Sequence, residues 1–260
     1  MTKVQLASII FSLILVLILY FGCERRAPEF RGIEKSRSLN LELVSIDNLL
    51  QEAKPMLSAS DLAQVNNYER FLHETLEDSS KIEAMKTLSG KWYELGHPAI
   101  AGHYAYEIAL LNPLEESWSI AGTTYSICVQ RAEDQELKDY CTTKAVNAFE
   151  NAISVNPSNI DHKINLALAY VENPATDNPM QGIQMLLQLR DTYPENVGVL
   201  TNLARLAIRT GQFDRAQERL RAALKLEPNN VIANCLMAST LQALNQNAEA
   251  EVYMEKCNQQ

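Results

Sequence analysis

The chain places apolar residues at helical spacing almost without interruption from about residue 41 to its C-terminal end. In the segment LELVSIDNLLQEA, one helical face collects the apolar residues Leu43, Ile46, Leu49 and Leu50. Ser58 and Asp61 resemble a capping box and predict the start of a second helix. An alternation of period two, which would indicate a strand, never persists for six residues. The pattern therefore predicts an all-α body.

Small residues recur at fixed spacing in residues 197–230. Counted from Val197, positions 4, 7, 8, 11, 15, 20, 24, 27 and 32 are occupied by Leu200, Leu203, Ala204, Ala207, Gly211, Ala216, Leu220, Ala223 and Pro228. Ala204 and Ala216 suit a close crossing of two antiparallel helices, because larger side chains would force the backbones apart. Gly211 suits the turn, and Pro228 stops the second helix. These positions define the tetratricopeptide repeat, which the segment resembles without a gap.

Five copies of this pattern follow one another, and together they cover residues 82–260. Their bounds are 82–114, 115–159, 160–196, 197–230 and 231–260. The second copy has its second helix 11 residues late, and the third has three extra residues in ENPATDNPM. Because each repeat buries its faces against its neighbours, the resemblance implies a right-handed α-solenoid of about five repeats. Residues 41–81 do not fit the pattern and are interpreted as a helical cap.

The first 40 residues form a separate segment. The stretch from Val4 to Gly22 has 19 residues without a charge; as a helix it would span about 29 Å, close to a hydrocarbon core of about 30 Å. Residues 1–23 are therefore predicted to be a membrane anchor or an export signal, and the polar residues 24–40 a linker. YFGC at 20–23 resembles a bacterial lipoprotein signal, so Cys23 is a candidate for lipidation, although an uncleaved span is preferred.

Four cysteines fall into two opposed pairs. Cys128 and Cys141 should face each other across the extended second hairpin, and Cys235 and Cys257 are level with each other in the last copy. One interpretation is two disulfides in an exported protein, and the other is free buried cysteines that fill small gaps. The pairing favours a body on the exported, periplasmic side of a single-pass anchor. Five basic residues between Arg25 and Arg37 favour the cytoplasmic side instead.

Charge and motif content exclude several classes of function. Residues 1–40 carry six Lys or Arg against three Glu, which leaves residues 41–260 with a net charge of −12. Such an acidic body disfavours nucleic acid as a partner. The chain has no Gly-rich phosphate loop, no HExxH, no GxSxG and no CxxC. His97 and His103 lack a third ligand nearby, so no metal, no cofactor and no catalytic residue is predicted.

The resemblance also implies a binding groove on the concave face, lined by the first helix of each repeat. The residues that fall there are Lys86, Tyr93, Ser119, Thr123, Ser126, Ile164, Leu168, Thr201, Arg205, Ser239 and Gln242. Arg205 and Arg209 are four residues apart and form a candidate positive site for an acidic residue or chain terminus. The chaperone-binding members of the family clamp a carboxylate with a lysine and, four residues later, an asparagine. That clamp is incomplete here, because Lys86 is followed four residues later by Gly90.

These expectations describe a bacterial, membrane-anchored scaffold without enzymatic activity that binds a partner protein or peptide and contacts the membrane through residues 4–22. One alternative is a lipoprotein of an envelope assembly complex. A second is an enzyme, or a regulator of one, that uses the non-repeat helices at 41–80.

Overall fold

A computed structural model describes Gln5 and residues 44–258, and Ile46 begins the second of the two units into which the chain divides. The second unit begins with α1 and a 3-10 turn and continues as a row of helices. Their bounds are α1 Ile46–Ala53, the turn Lys54–Met56, α2 Ala59–Glu74, α3 Asp78–Glu94, α4 Pro98–Leu111, α5 Glu115–Arg131, α6 Gln135–Val155, α7 Ile160–Glu172, α8 Gln181–Thr192, α9 Val197–Arg209, α10 Phe213–Leu226, α11 Val231–Ala243 and α12 Asn247–Cys257. No strand occurs among the described residues, so the all-α prediction is confirmed there.

From α3 onward the helices form pairs. Capping asparagines mark the start of some of these pairs, and left-handed residues form some of the turns between the paired helices. The Asn196 side chain caps α9 by accepting from the Val199 backbone N–H, and the Asn230 side chain caps α11 in the same way. In three of the five pairs, the turn between the two helices uses a left-handed residue. Gly96 and Gly211 supply it with φ of +84° and +70°, and Asn245 supplies it at the equivalent position of the last pair with φ of 60°.

Small residues lie at the crossings within the pairs. Ala204 of α9 and Ala216 of α10 are fully buried in one apolar cluster. Gly122 of α5 faces the ring of Phe149 in α6, and a Cβ there would come within 2.6 Å of the ring. Since a larger residue at such a crossing would have to push the partner helix away, these positions fix how closely each pair packs.

The helices α1 and α2 cover the N-terminal end of the paired helices. Ala53 of α1 and Val65 of α2 share a buried cluster with Leu88, Trp92 and Ile100 of the first pair. Lys91 of α3 also forms an ion pair of 2.7 Å with Asp61 of α2. The cap therefore belongs to the same core as α3 and α4.

The first helices of successive pairs form the inner layer of this unit. Helix α5 packs against α7, α7 against α9, and α9 against α11. The second helices instead make their extensive contacts with first helices and not with one another. Closer spacing on one side bends a row of elements toward that side. The first helices thus form the concave face and the second helices the outer face.

A polar junction joins the second and third pairs. The Glu115 carboxylate at the start of α5 accepts hydrogen bonds from the side chains of Asn159 at 2.6 Å and Asn156 at 2.8 Å. The Nε2 atom of buried His162 lies 2.7 Å from the same carboxylate. These contacts, Asn159 first, lower the pKa of Glu115 to about 2.

The predicted location, a single-pass membrane-anchored protein with its body on the exported side, is contradicted. In the described part of the chain, no helix is long and apolar enough to cross a membrane. The segment that carried the prediction, residues 4–22, lies outside the described residues except for Gln5. Cys23 and the predicted linker at 24–40 also lie outside them.

Candidate protein-binding groove

A cavity of about 190 Å³ opens between the first helices α5 and α7. It brings together three of the residues predicted for the groove, Thr123 and Ser126 of α5 and Leu168 of α7. The other lining residues are Ile127, Val129, Gln130, Phe149, Asn165, Ala169 and Glu172. Because Val129, Phe149 and Ala169 are buried, the floor of the cavity is apolar while its rim is polar.

Side-chain hydrogen bonding at the rim decides which groups are free to bind a ligand. The Ser126 hydroxyl donates to the Gly122 carbonyl oxygen within its own helix at 2.9 Å, so its proton is already used. Among the described residues, the side chains of Thr123, Gln130 and Asn165 have no hydrogen-bond partner. An amide side chain carries both a donor and an acceptor, so Asn165 can pair with both groups of a peptide unit.

The predicted positive site at Arg205 and Arg209 does not form as expected. Arg209 makes an ion pair of 2.6 Å with Glu172 of the preceding first helix, and this carboxylate also lines the cavity. Arg205 donates to the side-chain oxygen of Asn202 in its own helix at 2.8 Å. Of these two arginines, Arg209 is paired with a carboxylate of residues 44–258 and Arg205 is not.

Two predicted groove residues are corrected because they are buried. Ile164 is 3% exposed and packs in a cluster with Leu186 and Val199. Thr201 is 6% exposed, and its hydroxyl donates to the Val197 carbonyl oxygen at 2.8 Å. Both lie at the fifth position of their repeats, where the close packing of neighbouring first helices leaves no access for a partner.

The remaining predicted groove residues lie away from this cavity. Lys86 forms an ion pair of 2.8 Å with Glu83, and the Tyr93 ring lies 5.6 Å below the Arg131 guanidinium. Both Lys86 and Tyr93 are exposed on α3, and the others are half-buried Ser119 on α5 and exposed Ser239 and Gln242 on α11.

Disulfides join Cys128 to Cys141 and Cys235 to Cys257 in the structure, with Cα–Cα distances of 6.0 Å and 4.9 Å. The first bond connects α5 to α6 in the longest hairpin and is buried. The second connects α11 to the last residue of α12. Each bond ties the two helices of one pair together rather than joining neighbouring pairs.

The polar lining residues that the sequence analysis missed are Gln130, Asn165 and Glu172. The extended α5 carries Gln130 one turn beyond the last groove position counted from a standard repeat. Glu172 is the last residue of α7 and could have been found only by pairing it with Arg209, which is 37 residues away in sequence.

A second cavity, of about 320 Å³, lies between α1, the turn before α4 and the end of α5. Its titratable lining residues are Glu52, His97 and Arg131, and burial lowers the pKa of His97. Its lining includes residues of the range 41–80, which the predicted alternative of an enzyme would use. Within residues 44–258, no group of three or more His, Cys, Asp or Glu side chains is arranged to hold a metal ion.

Comparisons with known proteins identify the repeat. Family models of the tetratricopeptide repeat match residues 197–230 and residues 231–259, which are the helix pairs α9–α10 and α11–α12. The predicted resemblance is confirmed over these residues. No curated protein matches the chain.

The comparison with solved structures finds similar chains at low sequence identity. A tetratricopeptide repeat protein from Parabacteroides merdae is 14% identical, with 81% of this chain and 78% of that one covered and a TM-score of 0.50. A thermophilic TPR protein of Thermus thermophilus, TTC0263, is 20% identical, with 80% and 100% covered and a TM-score of 0.47. MamA from Desulfovibrio magneticus RS-1 is 13% identical, with 68% and 92% covered and a TM-score of 0.42.

Proposed function

Since residues 197–259 contain tetratricopeptide repeats, we propose that the chain is a protein–protein interaction scaffold that binds an extended segment of a partner protein on its concave face. The observation that carries the proposal is the cavity between α5 and α7. It combines a buried apolar floor with an unpaired amide, Asn165, at its rim. This combination suits a peptide, which presents apolar side chains and unpaired backbone groups together.

In this proposal, each part of the bound segment has its own contact in the cavity. One small apolar side chain of the partner enters against Leu168 and Phe149, and its burial supplies most of the affinity. The neighbouring peptide unit of the partner pairs with the Asn165 amide. The ion pair between Glu172 and Arg209 borders the site and fixes the position of the α7 C-terminal end.

Site-specific photo-crosslinking in the source cells tests this proposal. A photoreactive phenylalanine derivative replaces Leu168 in the full chain, and the matched control carries it in place of Leu110, which is 54% exposed on the second helix α4. We expect one protein to be crosslinked at position 168 and not at position 110, and Asn165→Ala to reduce its yield. Equal yields at both positions, or no crosslinked protein at 168, would overturn the proposal.

A further inference from the structure

A larger groove lies on the outer face, between the second helices α8 and α10 and above α9. Its volume is about 670 Å³. We define this outer groove by its central residues Ile183 and Leu187 of α8, Leu203 and Leu206 of α9, and Arg215 and Arg219 of α10. A volume of this size falls within the range of about 300–1,000 Å³ that ligand sites occupy.

The outer groove lies where α8 packs loosely against α9. Three extra residues in the segment before α8 form an irregular loop with one isolated bridge between Ala175 and Asn178. Helix α8 has only 12 residues, and it packs against α9 less extensively than α10 packs against α11. Half-buried Leu206 of α9 is thereby left accessible between the two second helices.

Arginines give the outer groove a charge opposite to that of the chain as a whole. Arg215 donates to the Gln212 side-chain oxygen at 2.7 Å, and Arg219 donates to the Leu203 carbonyl oxygen at 2.8 Å. Both guanidinium groups are thus bonded to neutral oxygens. The third arginine, Arg190 of α8, is bonded to Asp191. Glu218 also borders the groove and offsets part of the positive charge.

The arginines are close enough to act on one another. The pKa of Arg219 is lowered, first by burial and then by the positive charges of Arg190 and Arg215. An arginine remains charged despite such a shift, so the repulsion persists in the free protein. A ligand that brings carboxylates to this position would relieve the repulsion as well as form charge-assisted hydrogen bonds.

We propose that the outer groove binds an acidic amphipathic segment of a partner protein. Apolar side chains of this segment rest on half-buried Leu187 and Leu206, and two of its carboxylates pair with Arg215 and Arg219. Those arginines are one helical turn apart on α10, so they match two carboxylates along a peptide better than the single headgroup of a fatty acid. The site is lined by α8, α9 and α10, and it shares no lining residue with the cavity between α5 and α7.

Selection from a phage-displayed library of random 16-residue peptides tests this proposal with the full chain. The library is first depleted on the Arg215→Glu/Arg219→Glu variant, which keeps the concave face intact, and is then selected on the unaltered chain. We expect the enriched peptides to carry at least two acidic residues and regularly spaced apolar residues. If no peptide is enriched after depletion, or if the enriched peptides are not acidic, the proposal is wrong.

Fluorescence anisotropy with the enriched peptides then locates the site. The double variant should bind them at least about tenfold more weakly, because two charge-assisted hydrogen bonds are lost. Ala222→Trp, which fills the outer groove from an exposed position without changing charge, should also abolish binding. Arg205→Glu, on the concave side of α9, is the matched charge control and should leave binding unchanged.

Two results in this assay would overturn the assignment. Equal binding by the unaltered chain and Ala222→Trp would place the peptide elsewhere. Displacement of the peptide by micromolar dodecanoate would reassign the outer groove to fatty acids. Neither result bears on the crosslinking test at Leu168, so this inference and the proposed scaffold function can fail separately.

Discussion

Three helical glycines should respond differently to a single added methyl group. Gly90 lies on α3, where a Cβ would meet no atom within 4 Å. At Gly122 the Cβ would come within 2.6 Å of the Phe149 ring. At Gly182 it would fall on the Ala167 carbonyl oxygen of the partner helix α7. Comparing the three changes to alanine therefore separates the effect of helix propensity on stability from the effect of close packing between helices.

The expected magnitudes follow from these surroundings. Gly90→Ala should stabilise the chain by about 0.5–1 kcal/mol, because alanine favours the helix and nothing opposes it. Gly122→Ala gains the same propensity but overpacks a buried ring, at a cost of about 1–3 kcal/mol, so a net loss of about 1 kcal/mol is expected. Gly182→Ala should lose about 2 kcal/mol or more, since backbone cannot rotate away as a side chain can.

Urea unfolding followed by circular dichroism measures the three free energies of unfolding. Gly90→Ala serves as the matched control, because it makes the same chemical change in an open position. The reasoning would be refuted if Gly182→Ala unfolded at the same urea concentration as Gly90→Ala. In that case the close approach of α7 and α8 would not limit the packing of this pair.

Three further predictions concern the covalent and ionic links. Replacing Cys128 and Cys141 by serine should lower the free energy of unfolding by about 3 kcal/mol, the loop-closure contribution for residues this far apart; peptide mapping without reductant should detect the link, and freely alkylated thiols in fresh lysate would contradict it. Because the pKa of Glu115 is lowered, its carboxylate should stabilise the fold fully above about pH 4.5 and lose this effect toward pH 2. The melting temperatures of the unaltered chain and of Glu115→Gln should therefore converge on acidification. A difference that stays constant with pH would disprove the contribution of the Glu115 carboxylate. Arg209→Glu should destabilise by less than about 1 kcal/mol because its pair with Glu172 is half-exposed, and Glu172→Arg added to it should restore the melting temperature.

The features predicted well from sequence are those that depend on residue size and local spacing. The helix crossings at Ala204 and Ala216 and the turn at Gly211 needed small residues, and such a need shows in a single sequence. Asn245 takes the left-handed turn position in the last pair, where glycine is replaced by the residue that tolerates this conformation best. These positions recur at the same place in successive repeats, so counting residues along the chain was sufficient to predict them.

The groove was predicted less well because accessibility depends on distances between repeats. Counting positions assigned Ile164 and Thr201 to the surface, but the spacing of neighbouring first helices buries both. The same spacing lets Glu172 reach Arg209, which removes half of the predicted positive site. Neither distance is set by the residues of one repeat alone, so no pattern within a repeat could reveal it.

Both binding surfaces proposed for this chain lie where it departs from the regular repeat. The 11-residue insertion lengthens α5, which carries Gln130 to the rim of the inner cavity. The three-residue insertion precedes α8, and Leu206 of α9 remains accessible in the outer groove beside this helix. Regular repeats stack their helices closely, so cavities of this size are not expected between them. Residues that depart from the repeat pattern without a gain in packing are expected at functional positions. The two insertions therefore mark the surfaces where partners are expected to bind.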